Sequence, residues 1–95
     1  MTKYLFLIAF LLSAKAQAYE GPAKVLYSKH CATCHGDAGD RGRFGARNLK
    51  ASSLSDSSII RQISKGKGIM PAFARRLKPE EMTQLADYIK TLRTR

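Results

Sequence analysis

At 95 residues the chain has room for one small domain. Its 17 Lys and Arg against 7 Asp and Glu give a formal net charge of +10, which suits acidic or anionic partners and disfavours basic ones. Two cysteines exclude a disulfide-rich scaffold, and at positions 31 and 34 they enclose too short a loop for a bridge between them to add much stability.

In chain order, the first predicted element is a secretory signal peptide. Lys3 supplies the positive start, Tyr4 to Leu12 is almost wholly apolar, and Ala16-Gln17-Ala18 is a small-x-small cleavage site. A spanning helix needs about 18 or more apolar residues and this run is shorter. Cleavage after Ala18 is therefore expected, rather than a membrane anchor. The mature domain, residues 19–95, would begin at Tyr19 and carry 15 Lys and Arg against 7 acids, a net +8. A domain of that size buries a marginal core and needs a staple, whether disulfide, metal or cofactor.

Gly21-Pro22 opens the first helix, with Pro near the first helical position. Ala23 to His30 continues it, with Leu26 and Tyr27 as inward residues. The stretch from His35 to Gly45 has glycines at 36, 39, 42 and 45 and reads as a loop that uses positive φ. Ser55-Asp56-Ser57-Ser58 gives the next helix a cap and an acid in its first turn. Ile59, Ile60 and Ile63 form its apolar face, and Gly66 and Gly68 stop it. Ile69 to Leu77 is a loop holding Met70-Pro71. Lys78-Pro79-Glu80-Glu81 starts the last helix, where Met82, Leu85, Ile89 and Leu92 recur at helical spacing with Tyr88 beside them. No alternating run of strand type occurs. The predicted fold is all-α, with three to five short helices wrapped around something that is not protein.

Cys31-Ala32-Thr33-Cys34-His35 says what that is. C-x-x-C-H is the attachment signature for c-type haem. Two residues between the cysteines let both thiols reach the vinyl groups on one side of a porphyrin. His35 then lies under the ring, where Nε2 can bind iron as the proximal ligand. A structural zinc site would need four ligands, and the only other Cys or His is His30, poorly placed beside Cys31. A thioredoxin-like redox pair would need a βαβ surround, and none is visible. His30 is expected at the surface or packed at the helix end, too near in sequence to reach the opposite haem face. For the sixth ligand, only Met70 and Met82 remain after the signal peptide. Met82 falls within the last amphipathic helix and reads as core filler. Met70 lies in a glycine-rich loop 35 residues after His35, far enough to wrap to the other face. His/Met ligation fills both axial positions and raises the reduction potential.

At this point the chain resembles the small class I c-type cytochromes, in particular the bacterial and algal short-chain group. The resemblance covers essentially all of residues 20–95, and the matching parts are Ala23-x-x-Leu26-Tyr27, Cys31-x-x-Cys34-His35-Gly36, Asn48-Leu49, Gly68-x-Met70-Pro71-Ala72-Phe73 and Leu85-Ala86-x-Tyr88-Ile89. The resemblance implies a class I cytochrome c fold around one covalent haem, with Ala23 and Tyr27 packed on Leu85, Tyr88 and Ile89. It also implies a backbone carbonyl that accepts a bond from the proximal His Nδ1. Here that residue is Arg47, where many relatives have proline. With no Trp available, Arg47, Arg75, Arg76 or backbone N–H groups are left to bind the haem propionates.

Seven basic residues fall in two loops expected to border the haem: Arg41, Arg43 and Arg47 in one, and Lys65, Lys67, Arg75 and Arg76 around the other. Lys29 sits beside the motif, whereas Lys90 and Arg93 are expected away from the haem edge. Such a field would steer an acidic redox partner, an oxidase, reductase or dehydrogenase. Nucleic acid is not expected, and weak contact with an anionic membrane surface is a secondary possibility. The function expected is that of a periplasmic, monomeric one-electron carrier and not an enzyme. The alternatives are a small haem subunit of a larger redox complex, or a haem peroxidase or gas-binding protein, which would need an open iron position.

Overall fold

The computed structural model describes residues 21–94, so the expected signal peptide, residues 1–18, lies outside it. Residues 21–30 are helical and are called α1 here. At Cys31 the N–H still bonds the Tyr27 carbonyl at 2.8 Å. The chain then enters α2, the single turn Ala32–His35, closed by the Gly36 N–H on the Ala32 carbonyl at 2.8 Å. The cysteine motif is thus wound almost as a continuation of α1. Cys31, Cys34 and His35 stand at i, i+3 and i+4, which on a helix places them on one face. From behind, the buried Tyr27 hydroxyl donates to the Gly36 carbonyl at 2.6 Å. Burial holds the Tyr27 phenol above its ordinary range, so it remains a neutral donor.

A loop with one short 3-10 turn, Arg43–Gly45, leads to α3, Asp56–Lys65. The Ser55 side chain caps α3 by accepting from the Ser58 N–H at 3.3 Å, a contact typically worth about 1 kcal/mol. The last helix, α4, runs Pro79–Thr91 and continues into a 3-10 turn, Leu92–Thr94. Pro79 occupies the first turn, where its missing N–H costs nothing, and the Glu81 carboxylate accepts from the Lys78 N–H at 2.8 Å.

The all-α prediction holds among the described residues, and each helix begins and ends within a residue or two of its sequence signals. Ile59 and Ile63 of α3 are buried against Leu85, Ile89 and Leu92, the stripe of α4 and its extension. The first helix meets the last through Tyr27 and Tyr88, whose ring centroids are 5.2 Å apart. Lys90 pairs with Asp56 at 2.9 Å, and Arg93 donates to the Leu54 carbonyl at 2.8 Å, so the end of the chain is tied to the entry of α3.

The segment after α3 turns back on itself. Lys67 and Met70 exchange backbone bonds of 3.1 and 3.0 Å, and Phe73 and Ala74 donate to the carbonyls of Ile63 and Ser64. Gly66 makes that return possible. Its φ is +70°, and a Cβ there would lie 2.5 Å from the Met70 carbonyl oxygen and 2.7 Å from the Pro71 carbonyl carbon. Gly68 has φ +58° but open space around it. Gly68→Ala is expected to cost only the left-handed conformation, about 1–2 kcal/mol. Gly66→Ala should cost on the order of 3 kcal/mol or more, because the backbone must also move. Denaturant titration of the two holoprotein variants checks this, and equal midpoints would contradict it.

Candidate functional site

Among the described residues the helices and loops form a cleft of about 710 Å3, within the roughly 300–1,000 Å3 of ligand and cofactor sites. Cys31, Cys34, His35 and Met70 all line it, so the four residues singled out from sequence share a single cavity. Ile59, Ile63 and Phe73 are among its apolar lining residues. The two thiols are free. Burial pushes the Cys31 thiol up to about 11. That is the wrong direction for a redox dithiol, whose attacking cysteine is held low. Among the described residues no group of three or more His, Cys, Asp or Glu converges to hold a metal ion.

His35 Nδ1 lies 3.0 Å from the Arg47 carbonyl oxygen. A carbonyl only accepts, so Nδ1 is the donor, and in the neutral ring this leaves the lone pair on Nε2. The carbonyl implied by the family resemblance is therefore in place, although Arg stands there. This geometry fits a porphyrin: a wide, largely apolar cleft whose lining includes two free thiols on one helical face, an imidazole held through Nδ1 by a carbonyl, and a thioether.

Residues 21–89 match the family model described as cytochrome c oxidase, cbb3-type, subunit III. Over 92 residues the chain is 39% identical to a cytochrome c6 of Nostoc sp., an alignment covering 90% of this chain and 80% of that protein. It is 32% identical over 94 residues to a cytochrome c6 of Gloeothece citriformis, covering 90% and 84%. A cytochrome c6 of Anabaena variabilis is 37% identical over 70 residues, covering 67% and 80%. The chain belongs to the small class I c-type cytochromes. As such it carries one covalently bound haem c with its iron, has the class I cytochrome c fold, and moves electrons rather than turning over a substrate.

The structure redistributes the charges around the cytochrome's cleft. Of the seven basic residues expected at the haem border, Arg43, Arg47 and Lys67 line the cavity. Arg41 instead donates to the Ala32 and Thr33 carbonyls at 3.4 and 3.2 Å, capping the C-terminal end of α2. Arg76 lies over the Phe73 ring, 5.6 Å from its centroid. Arg75, like Arg76, is not part of the cavity lining, which leaves Arg47 as the one expected propionate cation on the wall. Lys90 and Arg93 also stand off the cavity, as expected, but their bonds to Asp56 and Leu54 give them structural roles.

Three residues escaped the sequence reading. His30 is packed at the end of α1, as expected, but it also lines the cavity, with its ring edge-on to Phe73 at 5.3 Å. Ile69 is exposed at the rim. Phe44, also at the rim, has φ 57° and ψ 29°, a conformation that costs a side-chain-bearing residue on the order of 1–3 kcal/mol. Only the glycines at 42 and 45 hinted that this loop turns in the left-handed region.

Proposed function

We propose that Cys31 and Cys34 hold the haem as thioethers, that His35 Nε2 and the Met70 sulfur are its axial ligands, and that the protein is an exported one-electron carrier for acidic redox partners. The observation that carries this reading is that the imidazole and the thioether stand on walls of one cleft. When bound, the haem iron supplies a one-electron couple. Arg47 fixes the His35 ring through its carbonyl. The Lys67–Met70 bridge fixes the loop that presents Met70. Ile59, Ile63 and Phe73 keep water from the iron, which limits reorganisation when charge changes. With His35 and Met70 both holding the iron, no position would remain for peroxide or a gas.

Export rests on the sequence of residues 1–18, with Tyr19 as the first residue of the mature domain and the periplasm as its compartment. It is compatible with the described residues, where no helix is long and apolar enough to cross a membrane. A second reading is supported by the matching family's description as an oxidase subunit: the same one-electron chemistry, performed while bound in a larger complex. Size-exclusion chromatography of a native extract separates the two, because a free monomer elutes near its own mass.

The acidic-partner reading is tested by kinetics. Surface charges act mainly on association rate and are screened by salt. Oxidation of the reduced protein by an acidic blue-copper protein should slow steeply as ionic strength rises. Arg43→Glu with Lys67→Glu should lower the rate by about tenfold or more at low salt and flatten that dependence. Lys90 and Arg93 make poor controls, since reversing them would break contacts that hold α3 to α4. Lys24 and Lys78 are exposed and stand off the cavity. Reversing that pair should do much less, and an equal effect from both pairs would reject directed steering.

A further inference from the structure

His30 is the last residue of α1 and the immediate neighbour of Cys31, so its backbone is fixed to the helix that carries the attachment motif. Helical bonding continues through that point, where the Cys31 N–H meets the Tyr27 carbonyl at 2.8 Å. The His30 imidazole stands edge-on to the Phe73 ring, with centroids 5.3 Å apart. Phe73 belongs to the return segment that presents Met70, three residues further on, with Pro71 between them. Three residues reach roughly 10 Å at most, and the fixed φ of Pro71 removes part of their freedom. Met70 therefore cannot travel far unless Phe73 follows.

Phe73 is also where its segment is pinned. Its N–H donates to the Ile63 carbonyl at 2.9 Å, and its own carbonyl accepts from the Arg76 and Leu77 N–H groups, each at 2.9 Å. The residue is 3% exposed, and the Arg76 guanidinium lies 5.6 Å from the ring centroid. Those backbone bonds tie the return segment to α3 and to itself. The His30 contact differs in kind, because it joins the segment to the helix that bears Cys31 and leads into His35. An edge-on ring pair is directional, and its attraction is felt only while the two rings keep that spacing.

We propose that His30 is a positioning residue for the sixth ligand: its ring, edge-on to Phe73, holds the Met70 loop in place and so sets how readily the sulfur leaves the iron. The inference rests on the reading of His35 and Met70 as axial ligands and adds a residue that acts through Phe73 without touching the iron. Withdrawal of Met70 drags Phe73 away from His30, so the ring pair favours the ligated loop over the open one. A contact shifts a two-state equilibrium only by its different strength in the two states, and this contact exists in one of them.

The test uses the oxidised holoprotein at one fixed pH as wild type, His30→Ala, His30→Phe and Ser55→Ala. Imidazole is titrated in, and loss of the iron–sulfur charge-transfer band reports the exchange. The iron–sulfur bond breaks, an iron–nitrogen bond forms, and no electron is transferred. His30→Ala should lose the band at an imidazole concentration about threefold to tenfold lower than wild type. His30→Phe keeps a ring beside Phe73 and should bind imidazole as wild type does. Ser55→Ala removes the cap at the end of α3 away from the Met70 loop. It should lower the denaturant midpoint and leave the imidazole titration where it was. Unchanged imidazole binding in His30→Ala would overturn the proposal. Equal tightening in Ser55→Ala would overturn it too, because general loosening would then explain the effect. So would a His30→Phe protein that behaves like His30→Ala, since the ring would not be what matters. If wild type shows no iron–sulfur band, the ligand assignment falls and the role of His30 with it, whereas a normal band with identical titrations rejects His30 alone.

Discussion

Cys31→Ala combined with Cys34→Ala is expected to give a chain that retains no haem after denaturation and does not fold. The proposed thioethers are the only covalent links the sequence can offer, since no other cysteine exists. Without the cofactor the core must close around a cleft of about 710 Å3. Unfilled space in a protein core is strongly destabilising, and a domain is held folded by only ~5–15 kcal/mol. The residues around the void, Ile59, Ile63 and Phe73 among them, have no second layer of protein to collapse onto in a chain this short. Pyridine haemochrome assay of the denatured, washed protein should show no haem, and circular dichroism should show the helical signal lost. The wild type, in contrast, should show by mass spectrometry one haem added to a chain beginning at Tyr19. A folded, helical double variant would sink the view that the cofactor is the staple, and a wild-type mass without haem would sink the attachment assignment.

The parts of this molecule that were legible in the sequence are those where local chemistry decides. Ser55, Gly66 and Pro79 mark the ends of α3 and α4 because capping and chain reversal depend on the residue at one position. The Met82–Leu92 stripe reads directly because burial on one helical face imposes its period. The cysteine motif was legible for a similar reason. The structure shows its residues at i, i+3 and i+4 of a continuing helix, so spacing alone fixed their common face. What the sequence hid depends on tertiary choice. Arg41, Arg43 and Arg47 look alike in a glycine-rich loop. One caps α2, and the other two line the cleft, and the selection is made by how the loop folds over the motif. His30 gave no sign that it would meet Phe73, a residue 43 positions later. Phe44 was hidden more deeply, because a left-handed phenylalanine contradicts the local preference by which a sequence is read.

Met70→Ala should leave the haem attached yet change nearly everything the iron does. The cysteines and His35 lie on α2 and its approach, while Met70 lies on the return after α3, so the substitution leaves the attachment wall untouched. The backbone bridge between Lys67 and Met70 uses only main-chain atoms and can survive the loss of the side chain. With the proposed sulfur ligand gone, the oxidised protein should lose its iron–sulfur charge-transfer band. Its reduction potential should fall by on the order of 0.1 V or more, within the ~0.8 V range that axial ligands span. The open position should then bind added imidazole or cyanide readily and acquire slow peroxidase activity. Met82 provides the comparison. It is buried in α4 and is not part of the cleft lining. Met82→Leu is a volume-conserving change expected to cost less than about 1.5 kcal/mol, with the band and the potential unchanged. Visible spectroscopy and protein-film voltammetry on both variants decide the matter. If the band follows Met82, or survives in Met70→Ala, the loop is not what binds the iron, and the reading of the cleft as a closed electron-transfer site would have to be abandoned with it.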